Sequence, residues 1–309
     1  MTSGAAAAAT GPRRRQRPAL PTQRRGEPLL LLGPAALYLV VFSIYPLITS
    51  LVRSFEDYDT VHNRWRWIGV GNYSALFHSH DFWQVVQHTL IFTVAGVAIQ
   101  VVLGTALALF FNQRLRGAGF VRGILILPML LTPIVVGLMW RMLLNPDWGL
   151  LNWIAVKLGF HVAWLTDPTT ALWTLISVDT WQWTPFVFII VFARLQALPQ
   201  DVFEASEVDG ATWFRRTWYV TLPLLAPAIV FAAVFRGIDA FRTFDLVFGL
   251  TNGGPVLATT TFSYLAFQNG FEFQHYGYAS AIAFVMVIVA TVGVTLLFKV
   301  VRVRREDVA

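Results

Sequence analysis

The chain has 309 residues, of which 56% are hydrophobic and 13% charged, with a formal net charge of +6 and no cysteine. That balance is too apolar for an average soluble protein, and without cysteine neither a disulfide framework nor a thiolate metal centre is possible. The basic excess does not describe a nucleic-acid surface either, because the arginines fall mainly in the gaps between apolar blocks.

Residues 1–27 join an alanine run to Arg13, Arg14, Arg15, Arg17, Arg24 and Arg25 among prolines, a composition that reads as a disordered basic cytoplasmic tail. The apolar run after it is too long for a signal-peptide core and is followed by no small-residue cleavage site, so it reads as an uncleaved first span. The blocks Pro28 to Val52, Phe82 to Gln113, Gly123 to Trp140, Thr217 to Phe235 and Phe273 to Phe298 contain no Asp, Glu, Lys or Arg. Pro168 to Ala193 contains only Asp179. At 1.5 Å per residue, about 20 apolar residues cross the hydrocarbon core. This predicts helices near 29–54, 83–111, 120–144, 169–195, 223–248 and 276–301, hence an all-α integral membrane protein with a six-span domain over 28–305.

Six spans put both termini on one side, and the basic residues say which. One face receives the six tail arginines, then Arg114, Arg116 and Arg122, then Arg194, Arg215 and Arg216, and finally Lys299, Arg302, Arg304 and Arg305. The opposite face has Arg53, Arg64, Arg66, Arg141 and Lys157, and Gly249 to Tyr276 has none. By the positive-inside rule both termini and the 196–222 loop are expected in the cytoplasm. Trp65, Trp67, Trp83, Trp148, Trp153 and Trp164 sit near the other ends of spans, where an interfacial aromatic belt belongs.

The loop between the fourth and fifth spans, Leu198 to Pro227, has its own helical logic. Pro199 suits a first turn, Asp201 and Glu204 lie near the positive end of a helix dipole, and Gly210 permits a tight bend before a second amphipathic stretch. A helix-turn-helix outside the membrane is the expectation. The segment resembles the EAA loop of binding-protein-dependent ABC importer permeases, with Glu204, Ala205, Asp209, Gly210, Ala211, Val220, Leu222, Pro223 and Pro227 at that family's spacings. Ser206 replaces the usual second Ala, and Val220 the commoner Ile.

The resemblance implies a type I importer permease fold whose cytoplasmic coupling helix, within 199–222, seats in a groove of an ATPase subunit. Glu204, Ala205, Ser206, Asp209, Gly210 and Ala211 would form that contact. Asn145-Pro146, Gly149 to Asn152, Thr251 to Pro255, the threonines 259–261 and Gly277 to Ala281 extend the likeness to the sugar permeases related to the maltose and glycerol-3-phosphate permeases. The implied partners are a second, homologous permease, a homodimeric ATPase, an extracellular solute-binding protein, a sugar and the lipid bilayer of a bacterial inner membrane. This chain lacks a Walker A motif, so it is not expected to be an enzyme or to hold a cofactor, and ATP and Mg belong to the ATPase partner.

Ionisable residues inside spans are costly and mark functional candidates. Asp179 lies in the fourth span, and Arg236, Asp239, Arg242 and Asp245 recur every three residues in the fifth. Two readings stand: a ladder of ion pairs that makes its own charges tolerable, or contact with substrate. On the resemblance, the sugar contacts carry over to Asp179, Gln182, Trp183 and Phe186 in one span and to Arg236, Ala240 and Thr243 in the other, with Asp239 beside them. The charged members depart from an uncharged polar site and count against maltose itself, leaving a di- or oligosaccharide or related polyol, with a glycerol phosphate or phosphodiester as the alternative. An ion-coupled transporter would leave the 199–222 motif unexplained. The six histidines show no spacing that supports a metal site or a membrane enzyme.

Overall fold

The computed structural model describes residues 33–35, 37–59, 62–113 and 117–306, with side chains as far as residue 295. The basic tail expected at 1–27 lies outside the described residues. The chain divides into two units, residues 1–48 and 49–309. In the first unit, the described residues belong to helix α1, Gly33–Arg53, which continues into the second. Tyr38 and Phe42, one helical turn apart, bring their rings to 4.8 Å.

After the end of α1 the second unit forms a hairpin, β1 (Glu56–Asp59) and β2 (Arg64–Trp67), which an all-helical expectation did not include. Its register sets Asp57 opposite Arg66 and Asp59 opposite Arg64, a pairing of opposite charges too short to be visible as an apolar pattern. Helices α2 (Gly71–His78) and α3 (His80–Phe111) follow, and Ser79 caps α3 by accepting from the Phe82 amide at 3.3 Å. Helix α7, Pro168–Gln196, is capped likewise by Asp167, which accepts from the Thr170 amide at 2.9 Å. That backbone hydrogen bond, joined by one from the Thr170 hydroxyl, holds the Asp167 carboxyl below the usual carboxylate range.

Two expected spans are not straight. The third is a pair, α4 (Ala118–Leu130) and α5 (Pro133–Leu143), bent by 98°. Pro133 has no amide hydrogen and drives Thr132 into extended backbone, ψ 137°, and the Leu131 carbonyl left over accepts from Gln182 Nε2 of α7 at 2.9 Å. The fifth is α9, Trp213–Phe241, which starts ten residues before the expected 223, passes through a π-turn at Thr217–Thr221, and breaks at 242–244 before the short α10, Asp245–Leu250. The break is satisfied from outside the helix. Thr261 Oγ1 donates to the Thr243 carbonyl at 2.8 Å and Ser263 Oγ to the Arg242 carbonyl at 2.9 Å. Short α6 (Leu150–Lys157) precedes α7, short α8 (Gln200–Val208) follows it, and α11 (Phe262–Phe267) and the long α12 (Tyr276–Glu306) complete the chain.

Among the described residues five helices are long and apolar enough to cross a membrane, and the bent pair makes a sixth if counted as one span. The core lies where α3 packs against α7 and α9, with Phe92, Leu175, Ile176 and Leu246 almost fully buried. The half-helices α5 and α10 cross so closely that a Cβ on Gly137 would meet the Leu250 amide nitrogen at 2.9 Å, and one on Gly249 the Ile134 carbonyl oxygen at 2.7 Å. Small residues let helix backbones approach where no hydrophobic effect drives them together. Gly249→Ala is therefore expected to destabilise the purified protein by roughly 1–3 kcal/mol, the range for overpacking. A melting temperature equal to the wild type would show that the two half-helices separate at no cost.

Candidate translocation site

Three helices bring their polar residues together inside the apolar core. Gln100 of α3, Asp179 of α7 and Arg236 of α9 are all at most 2% exposed. Arg236 donates from Nε to Gln100 Oε1 at 2.9 Å, from Nη2 to Asp179 Oδ2 at 3.0 Å, and from Nη1 to Asp239 Oδ2. Gln100 Nε2 in turn donates to Asp179 Oδ2 at 2.7 Å, and the guanidinium carbon lies 4.7 Å from the centre of the Trp183 ring. Each member satisfies another, which is the condition for burying charge in a low-dielectric interior. The i,i+3 spacing of Arg236 and Asp239 is thus an ion pair, and the third partner, Gln100, was missed. A lone Gln in the middle of an apolar span was the available signal.

Beside this network a cavity of about 330 Å³ opens between α5, α7, α9, α10, α11 and α12. Asp179, Trp183, Asp239, Ala240 and Thr243 line it, so five of the eight expected contact residues share one space. Arg242, Phe244 and Asp245 line it too, because the break after Phe241 turns unwound backbone toward the space. The other three expected residues sit elsewhere. Arg236 is buried behind the wall, Gln182 serves the α4–α5 bend, and Phe186 stacks on Phe235 at 5.1 Å.

The loop after α7 forms the helix-turn-helix that its residues predict. Helix α8 ends at Asp209 in a Schellman turn: the Gly210 amide donates to the Glu207 carbonyl at 3.0 Å, and the Ala211 amide to the Ser206 carbonyl at 3.0 Å. Gly210 takes the left-handed conformation this turn requires, φ +72°. Thr212 then caps α9, whose Arg216 pairs back with Glu207. Glu204, Ala205, Asp209 and Gly210 are exposed, while Ser206 is buried with its hydroxyl donating to the Phe203 carbonyl at 2.7 Å.

Residues 100–305 match the family described as binding-protein-dependent transport system inner membrane component. The chain belongs to this family. Over 279 residues, 90% of this permease and 94% of the relative, it is 36% identical to the trehalose/maltose transport system permease protein MalF of Thermococcus litoralis. Over 278 residues, 90% of this permease and 95% of the relative, it is 30% identical to the sn-glycerol-3-phosphate transport system permease protein UgpA of Agrobacterium fabrum. In fold it matches a crystal structure of a bacterial ABC transporter that imports the acidic polysaccharide alginate, with a TM-score of 0.78 at 23% identity, covering 88% of this permease and 94% of that chain. The permease is thus a multi-pass membrane component, and its kinship identifies a transporter subunit rather than an enzyme.

Proposed function

We propose that this permease carries a carbohydrate, a di- or oligosaccharide or a related polyol, into the cell as one half of the membrane pore of an ATP-driven importer. The observation that carries the reading is the convergence of Asp179, Trp183, Asp239, Ala240 and Thr243 on one cavity deep in a permease whose relatives include sugar transporters. Carboxylates accept hydrogen bonds from adjacent sugar hydroxyls, and the aromatic side chains of Trp183 and Phe244 border the space where the apolar side of a pyranose would lie. In the same reading a second permease completes the pore and an extracellular binding protein delivers the sugar. A homodimeric ATPase binds ATP and Mg, and seats the exposed turn of α8 through Glu204, Ala205, Asp209, Gly210 and Ala211, while Ser206, expected in that contact, is buried and supports the turn from beneath.

The test is uptake of labelled trehalose by vesicles holding the full complex. Transport should require ATP and the binding protein, and Trp183→Ala should reduce it at least about tenfold, the scale of stacking contacts. Normal uptake by that variant would remove the cavity from the path. Orientation is tested separately in the natural cysteine-free background. Val256→Cys, 86% exposed, should react with an impermeant maleimide in intact cells, and Val208→Cys, 88% exposed, only after permeabilisation and less when the ATPase is present. The reverse pattern would invert the topology.

A further inference from the structure

A guanidinium in a sugar site normally offers its donors to the ligand. Here all three nitrogens of Arg236 already donate inside the protein, to Gln100, Asp239 and Asp179, and the side chain is 1% exposed. It has no face to present. What it presents instead is Asp239, whose side chain is 41% exposed and lines the cavity with one carboxylate oxygen held by the guanidinium. The remaining charged groups of the wall are Asp179, Asp245 and Arg242. Of these, Asp179 is 3% exposed and paired with Arg236, so that buried pair cancels, and Asp239 and Asp245 face the guanidinium of Arg242 with an excess of one negative charge.

We infer that Asp239, fixed by Arg236, makes this cavity a charge filter that accepts uncharged and cationic sugars and excludes anionic ones. The inference rests on the cavity being the substrate site proposed above. An ionised carboxylate is an acceptor only, so its free oxygen takes hydroxyl or ammonium donors and has nothing to offer a carboxylate or phosphate. Like charges brought together in a partly desolvated site repel far more than in water. Because Arg236 fixes Asp239, the side chain cannot swing clear to relieve that repulsion. Arg236 is thus a positioning residue and Asp239 the one that discriminates. The glycerol phosphate alternative, whose ligand is an anion, loses support on the same ground.

Family membership does not decide this point, since the relatives include carriers named for both uncharged and phosphorylated compounds. The experiment uses the complete complex, both permeases and the ATPase, in nanodiscs without binding protein. Saturation-transfer NMR is recorded with methyl glucoside, glucosamine and glucuronate at equal concentration, and the signal that survives Trp183→Ala is subtracted. Glucoside and glucosamine should give cavity signal, and glucuronate at least about tenfold less. Asp239→Asn should raise glucuronate toward glucoside, while Asp239→Glu, which keeps the charge, should still exclude it. Equal signal from glucuronate and glucoside in the wild type, or an unchanged ratio in Asp239→Asn, would overturn the filter and leave the sugar site standing. No Trp183-dependent signal from any probe would sink the site itself.

Discussion

Gly210→Asp is expected to leave the permease inserted and the external binding protein able to dock, yet to reduce ATP hydrolysis by the reconstituted complex to its unstimulated rate. The Schellman turn at the end of α8 places Gly210 at φ +72°, where a residue with a Cβ pays roughly 1–2 kcal/mol. Among the described residues, no atom beyond the two adjoining residues lies within 4 Å of an added Cβ, so the backbone, and not crowding within the subunit, sets that cost. Strain alone would weaken the turn. Under the proposed coupling role the aspartate also puts a charged side chain into the surface that meets the ATPase, which accounts for full loss. Glu204→Lys acts at the same surface by a different route. Glu204 is exposed on α8, so reversing its charge alters a contact with the partner without disturbing the fold of this chain. The measurement is ATPase activity with and without loaded binding protein. Wild-type stimulation in both variants would remove the 199–222 segment from coupling.

Arg236→Ala is expected to lower the amount and thermal stability of the assembled permease, not only its transport. The substitution strips a fully buried carboxylate, Asp179, of its cationic partner and leaves Gln100 as its donor among the described residues. Breaking a buried ion pair from one side costs on the order of 3–5 kcal/mol. Adding Asp179→Asn to Arg236→Ala removes the orphaned charge, so the double variant should recover most of the lost stability while transport stays impaired. Asp239→Ala should cost much less stability, since its side chain is 41% exposed and solvent screens what is left unpaired. Fluorescence-detected size exclusion and a melting curve of the three variants decide the matter. An Arg236→Ala complex as stable as the wild type would mean that the network is not closed in the membrane.

The helical identity of the chain and the position of its loop motif were legible in the residues because both depend on local chemistry. A run without Asp, Glu, Lys or Arg longer than a bilayer has few alternatives to a spanning helix, since every backbone amide must find its partner within the segment. Gly210 was legible for the same reason: a left-handed turn after an acidic helical stretch calls for glycine whatever surrounds it. The Arg236–Asp239 spacing showed that the two side chains share one face of α9, and the network confirms their pairing.

The tertiary structure decided what depends on partners far apart in sequence. Periodicity treats Gly123 to Trp140 as one helix; Pro133 breaks it locally, and the Gln182 side chain, 51 residues from the Leu131 carbonyl it satisfies, supports the 98° bend from another helix. The break at 242–244 depends in the same way on Thr261 and Ser263, whose hydroxyls take up the free carbonyls and so turn Thr243 and Phe244 toward the cavity. Most consequential is the direction of Arg236. Sequence places it at the depth of the site, but whether its donors face the cavity or the core is settled by Gln100, 136 residues away on α3, and by Asp179 on α7. A helix position fixes where a side chain starts. Burial and the competing acceptors around it determine which way a charge is presented, and here they turn the guanidinium inward and leave a carboxylate at the wall.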